Sequence, residues 1–184
     1  MKRLVSQFTK QLLEALEIGK SAKLKTNKKE ISSMVITGLG GSGIGGKIAT
    51  QIIAEQLKIP VIINNDYNLP EFVNENTLVI VSSFSGNTEE TLEALKKAQL
   101  AEAEIACITS GGKIAEIAKT KNYNLIILPK AFSPRAMLTY SIVQQLFLFN
   151  HYGLINDSFI NEIASTVSLL DKEIDNIKDL AHQT

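Results

Sequence analysis

Five short apolar runs, most of them separated by segments with helical spacing, constrain the fold of this 184-residue chain. The runs occupy residues 34–36, 60–63, 78–81, 104–109 and 124–128. Short apolar strands that alternate with helices predict a parallel sheet covered on both faces. Because crossovers between parallel strands are right-handed, we expect an open, doubly wound α/β sheet in a three-layer αβα sandwich.

The periodicity of apolar residues predicts the helices that cover this sheet. They are expected at residues 4–18, 42–57, 88–100, 112–118, 135–152 and 158–180. The first and last of these are amphipathic, and the lysine-rich stretch 20–30 is interpreted as a solvated connector. The predicted domain organisation is an N-terminal helix and connector (1–30), a central domain (31–155) and a C-terminal helix (156–184).

Composition excludes several classes of function. The 19 basic and 19 acidic residues cancel and are dispersed, which indicates no surface for nucleic acid or an anionic membrane. No apolar run approaches the length that spans a membrane, and residues 1–20 are too amphipathic for a signal peptide. The single cysteine, Cys107, excludes a disulfide within the chain. We therefore expect a cytoplasmic protein.

Two Gly- and Ser-rich segments, residues 38–43 and 82–88, each follow an apolar strand and precede a helix. The first N–H groups of a helix lack intrahelical partners and lie at the positive end of its dipole, so such segments bind anions. With strand order 2-1-3-4-5, the two loops leave the first and third strands, which flank the switch point of the sheet. The sequence therefore predicts one anion site built from both loops.

Each loop also has an alternative interpretation. Gly38, Gly40 and Gly43 have the spacing of a dinucleotide fingerprint, but the acidic residue that this reading needs would be Asp66, which lies later than the fingerprint requires. The second loop could be an ordinary helix N-cap, with Asn87 or Thr88 as the capping residue. A cap alone does not explain the serines that precede it.

Three motifs in order along the chain carry a more specific likeness: Gly40-Gly41-Ser42-Gly43, Ser83-Phe84-Ser85-Gly86-Asn87-Thr88 and Ser133-Pro134-Arg135-Ala136-Met137-Leu138. They resemble the sugar isomerase (SIS) family over residues 31–155, and within it most of all the first domain of bifunctional phosphoglucose/phosphomannose isomerases. The resemblance implies a flavodoxin-like topology and a hexose 6-phosphate ligand. It also implies interconversion of aldose and ketose through a cis-enediolate, with no metal or other cofactor.

The resemblance assigns roles residue by residue. Phosphate binding falls to the second motif, through Ser83, Ser85, Gly86, Asn87 and Thr88. Contacts to the sugar or its phosphate fall to Gly41 and Ser42 in the first motif. Arg135 in the third motif would stabilise the negative charge of the enediolate oxygens.

The general base has no candidate in this sequence. The family carries its glutamate base and ring-opening histidine in a second SIS domain, whose motifs do not occur in this sequence. His151 ends an apolar helix and is interpreted as a packed or helix-capping residue, while His182 belongs to the terminal tail. Glu89, Glu90 and Glu93 begin a helix, where the helix dipole favours carboxylates.

Three hypotheses follow from different classes of function. In the first, the chain is the phosphosugar-binding half of an aldose–ketose isomerase and works as a dimer or with a second SIS domain. In the second, it is a stand-alone isomerase of the phosphohexulose or phosphoheptose type that assembles into a tetramer. In the third, it is a non-catalytic phosphosugar sensor.

Overall fold

The computed structural model describes residues 7–26, 29–130 and 136–182. These residues form five strands and six helices in the order α1 (Phe8–Ser21), β1 (Ser33–Thr37), α2 (Gly41–Ile52), β2 (Val61–Asn64), β3 (Thr77–Ser82), α3 (Glu89–Leu100), β4 (Glu104–Thr109), α4 (Gly112–Lys121), β5 (Asn124–Ile127), α5 (Leu138–His151) and α6 (Ser158–His182). The predicted α/β alternation is confirmed. No helix within the described residues is both long and apolar enough to cross a bilayer.

All five strands pair in parallel in one sheet of order β2-β1-β3-β4-β5, as predicted. At the carboxyl end of β1, Thr37 pairs with Asn64 on one side and with Val81 on the other. The chain therefore leaves β1 toward β2 and returns across β1 to form β3. This reversal puts the switch point between the carboxyl ends of β1 and β3.

Alternate residues of the strands face two separate layers of helices. Met34 and Ile36 of β1 belong to a core that α1, α2, α5 and α6 share, and Val35 belongs to a core that α3 and α4 cover. All three side chains are fully buried, as expected for a strand covered on both faces. The three-layer sandwich is therefore confirmed.

Helix α5 is the central helix of its layer. It packs against both α1 and α2, and Phe149 near its end is fully buried. Close approach of α1 depends on Gly19, since a Cβ at this position would overlap the Phe147 ring. The apolar residues predicted on α1 and α5 thus cover the sheet and each other.

The lysine-rich connector is exposed, as predicted, but it is also tied to the amino-terminal edge of the sheet. Lys25 donates its backbone N–H to Asn124 Oδ1 (2.7 Å) and its ammonium to the Asn122 carbonyl (2.6 Å). The Lys29 ammonium donates to the Glu102 carbonyl (2.7 Å). Both lysines therefore bind carbonyl groups just beyond helix C-termini, where the dipole favours a cation.

Burial of Cys107 in β4 predicts a pH dependence of stability. Burial raises the pKa of the Cys107 thiol to about 12, whereas an unfolded thiol ionises near pH ~8.5. The unfolded state therefore loses its proton first, and stability falls as the pH rises between these values. Between pH 8 and 10 we expect the free energy of unfolding to fall by about 2 kcal/mol more in the wild type than in Cys107→Ala. Urea denaturation of both proteins measures this difference, and parallel pH curves would contradict it.

Candidate functional site

The two predicted loops lie side by side at the switch point. The Gly38 N–H donates to the Asn64 carbonyl at 3.1 Å, which continues the pairing of β1 with β2. On the other side, a Cβ at Gly38 would lie 2.5 Å from the Ser82 carbonyl oxygen. The backbone of the first loop therefore runs directly against the end of β3, as the strand order predicts.

Glycine is required in the first loop and in α2 for two different physical reasons. A Cβ at Gly43 would lie 2.5 Å from the Gly38 carbonyl oxygen, and one at Gly45 would overlap the Ser141 hydroxyl on α5. These two glycines therefore permit packing within the protein. Gly40 has a φ of +52° and open space around it, so it is the glycine of this loop that leaves room beside the backbone.

Helix α2 begins without a side-chain cap. Its N-cap residue is Gly40, and Gly41 and Ser42 form the start of its first turn, both half-buried. The Ser42 and Ile44 N–H groups bond to the carbonyls of Leu39 and Gly40. Gly41 and Ser42, predicted to contact the sugar or its phosphate, therefore lie beside the second loop at a helix N-terminus that no side chain caps. The Leu39 carbonyl already accepts the Gly43 N–H as well as that of Ser42.

The second loop, residues 82–88, is hereafter the anion loop. The Ser83 and Thr88 hydroxyls share a hydrogen bond of 2.8 Å, and Ser83 is 2% exposed. The Gly86 N–H lies within reach of both the Ser83 carbonyl (3.1 Å) and the Ser83 hydroxyl (3.2 Å). Ser85 is exposed, and its hydroxyl accepts the Asn87 N–H at 3.3 Å. The loop thus groups three hydroxyls within one turn.

Helix α3 also begins without a side-chain cap. Thr88 occupies the N-cap position, but its hydroxyl bonds to Ser83 and not to the first turn of α3. The Asn87 amide donates to the Ser85 carbonyl and accepts the Lys113 N–H. Interpretation of this loop as an ordinary N-cap is therefore wrong. Within the described residues, the first N–H groups of α3 have no acceptor and are available to an anion.

Tyr67, at the rim of the site, interacts with the acidic residues in the first turn of α3. Desolvation, together with the negative charges of Glu89 and Glu90, raises the pKa of Tyr67. A hydrogen bond from the phenol to the Glu90 carboxylate is a further cause of this rise in the pKa of Tyr67. Nearby Asp66, the residue that a dinucleotide site would use, accepts the Tyr67 N–H at 2.6 Å.

A third segment, between β4 and α4, contacts the anion loop and was not predicted to do so. The Ser110 N–H and hydroxyl both donate to the Phe84 carbonyl, at 3.0 and 2.7 Å. A Cβ at Gly86 would overlap the Gly111 carbonyl oxygen. Ser110-Gly111-Gly112 follows the strand next to β3, so the strand order together with this composition could have indicated the contact.

The remaining predicted residues do not join the described part of the site. Arg135 lies outside the described residues, as does the side chain of His182. His151 ends α5, where its Nε2 lies 2.7 Å from the Lys25 carbonyl oxygen and 3.4 Å from Asn124 Nδ2. Because Asn124 begins β5, His151 belongs to the opposite edge of the sheet. His151 is half-buried in the last turn of α5, with its ring edge-on to Tyr152, which agrees with its interpretation as a packed or helix-capping residue.

Comparison with known proteins identifies the family to which this fold and site belong. The model of the SIS domain family matches residues 28–154. A solved structure of a proposed phosphosugar isomerase from Clostridium difficile 630 superposes with a TM-score of 0.74 and covers 99% of this chain and 55% of its own. Their sequences are 20% identical, so this likeness concerns the fold.

Two curated relatives are bifunctional phosphoglucose/phosphomannose isomerases. The protein from Caldicellulosiruptor bescii is 44% identical over 166 residues, which is 90% of this chain and 49% of that protein. The protein from Thermoplasma volcanium is 33% identical over 180 residues, which is 96% of this chain and 55% of that protein. This chain therefore spans about half the length of these relatives. On the family model and these two relatives, the chain belongs to the SIS domain family.

Proposed function

We propose that this chain is the phosphosugar-binding half of an aldose–ketose isomerase. The observation that carries the proposal is the pair of uncapped helix N-termini, α2 and α3, at one switch point with three hydroxyls between them. A phosphate monoester suits this arrangement, because it is a small dianion that accepts several hydrogen bonds. The substrates would be glucose 6-phosphate or mannose 6-phosphate, converted to fructose 6-phosphate in a step shared by glycolysis and gluconeogenesis.

Phosphate binding is proposed for the anion loop, with the Ser83, Ser85 and Thr88 hydroxyls and the backbone of Gly86 and Asn87 as donors. In the neighbouring loop, Gly41 and Ser42 would contact the sugar. Both loops directly follow strands of the sheet, so they would hold the sugar in a fixed orientation.

Isomerisation transfers one proton between neighbouring carbons. A base removes the C2 proton of the open-chain aldose, and the electron pair of that bond forms the C1–C2 double bond of the enediolate. The base then returns a proton to C1, and the O2 proton is transferred to O1 as the C2–O2 double bond forms, which gives the ketose with no net oxidation. Arg135 is proposed to stabilise the enediolate oxygens, because a guanidinium cation stabilises the negative charge that develops on them only during the reaction.

The base itself is proposed to come from a second SIS domain or from a second copy of the chain. Two observations support this: His151 lies at the far edge of the sheet, and the chain spans about half of its relatives. Exposed apolar side chains on α1 and α2, including Phe8, Leu13 and Ile52, support a further contact. A homodimer in the cytoplasm is the proposed form.

Calorimetry and a coupled assay test the proposal together. We expect the 184-residue chain to bind fructose 6-phosphate and glucose 6-phosphate and to ignore unphosphorylated glucose. We expect the chain alone to catalyse negligible isomerisation, and a fusion to the second half of the Caldicellulosiruptor bescii relative to catalyse it. Equal affinity for glucose and its 6-phosphate would refute the phosphate site. Rapid turnover by the chain alone, with the mass of a tetramer, would favour the stand-alone isomerase.

A further inference from the structure

Three consecutive carbonyl groups of the anion loop already have hydrogen-bond donors. The Phe84 carbonyl accepts hydrogen bonds from the backbone N–H and the hydroxyl of Ser110. The Gly86 carbonyl accepts the Ile114 N–H at 3.0 Å. Between them, the Ser85 carbonyl accepts the Asn87 amide at 3.3 Å. A carbonyl oxygen that faced a bound anion would repel it. Residues 110–114 therefore hydrogen-bond two carbonyl groups of the loop, those of Phe84 and Gly86, that would otherwise oppose anion binding.

The same contacts orient the N–H groups of the loop. In a trans peptide, the carbonyl of one residue and the N–H of the next point in opposite directions, and the described residues contain no cis peptide bond. Because Ser110 holds the Phe84 carbonyl, the Ser85 N–H points away from Ser110. The Ser85 N–H has no hydrogen-bond partner within the described residues. It is therefore a free donor with a fixed direction.

We infer that Ser110 is a positioning residue for the phosphate group, an inference that rests on the proposed function. Its hydroxyl makes the shorter of the two bonds to the Phe84 carbonyl (2.7 Å) and fixes the Phe84–Ser85 peptide plane. With that plane fixed, the Ser85 N–H donates to the phosphate without first reorienting. Ser110 itself does not contact the ligand.

Titration of ¹⁵N-labelled protein with inorganic phosphate and with fructose 6-phosphate tests the inference. In the wild type we expect a downfield shift of the Ser85 amide proton as either ligand binds. Ser110→Ala should lower the affinity for both ligands roughly five-fold and reduce this shift, because one hydrogen bond that holds the plane is lost. Ser110→Thr keeps the hydroxyl and should bind within about two-fold of the wild type. Ser168→Ala removes a similar hydroxyl-to-carbonyl bond on α6 and serves as the matched control.

The outcomes separate this inference from the proposed function. Wild-type protein that binds fructose 6-phosphate without a shift of the Ser85 amide would overturn the inference alone, and this measurement needs no variant. Ser110→Ala with reduced thermal stability but unchanged affinity would also overturn it, since the hydroxyl would then be merely structural. Wild-type protein that binds neither ligand would overturn both.

Discussion

Replacement of Gly86 by alanine is expected to lower the free energy of unfolding by about 3 kcal/mol and to abolish measurable binding of fructose 6-phosphate. Gly86 has a φ of +69°, which strains any residue with a Cβ, and this Cβ would overlap the Gly111 carbonyl oxygen. Because the clash is with backbone, a side-chain rotation cannot relieve it. Urea denaturation and calorimetry measure the two losses.

Gly153→Ala is the matched control for this prediction. Gly153 has a similar φ of +72°, but no atom lies within 4 Å of the position its Cβ would occupy, and it follows α5 at the far edge of the sheet. We expect the Gly153→Ala variant to lose about 1 kcal/mol of its free energy of unfolding and to keep its affinity for fructose 6-phosphate. If Gly86→Ala lost no more stability than this control and still bound the ligand, close contact between the anion loop and residues 110–114 would be unnecessary.

Removal of the paired hydroxyls of the anion loop is expected to lower the affinity for fructose 6-phosphate strongly. Ser83→Ala and Thr88→Val should each weaken binding of fructose 6-phosphate by roughly ten- to a hundred-fold, because hydrogen bonds to a charged group are strong. Since the two hydroxyls bond to each other at 2.8 Å, each variant also disturbs the remaining partner. The double variant should therefore lose less than the sum of the single losses in free energy.

Two further variants sharpen this test. Thr88→Ser retains the hydroxyl and should bind nearly as well as the wild type. Thr50→Val removes a hydroxyl that bonds only within α2, to the Gly46 carbonyl, and should leave affinity unchanged. Strictly additive losses in the double variant would mean that the two hydroxyls act independently, and unchanged affinity in both single variants would refute the phosphate assignment.

Much of the fold could be predicted from the chain because each strand is a local apolar run. Val79 and Ile80, for example, are fully buried on opposite faces of the sheet, as a covered strand requires. Prediction was weaker where tertiary contacts override helical spacing. Helix α2 ends at Ile52 and not near Leu57, and turns then carry Leu57 and Ile59 back against the core.

The candidate site likewise has a part that the sequence predicted and a part that it did not. Glycine and hydroxyl spacing indicated both loops, and the resemblance assigned their roles. Hydrogen-bond partners could not be predicted, because each depends on where another segment lies. Thr88 bonds to Ser83 and leaves α3 uncapped, and Asn124 joins Lys25, which is 99 positions away along the chain.

The sequence by itself determined the alternation of strands and helices and the Gly- and Ser-rich loops after the first and third strands, because these follow from local periodicity and composition. The strand order that brings both loops to the switch point was implied by the resemblance and is confirmed by the structure. Only the tertiary structure decided that most glycines of α2 serve packing, that both helix N-termini are uncapped, and that Ser110 holds the anion loop. Those features arise from contacts between segments on neighbouring strands and helices. Their geometry depends on strand register and on close packing, which no local pattern encodes.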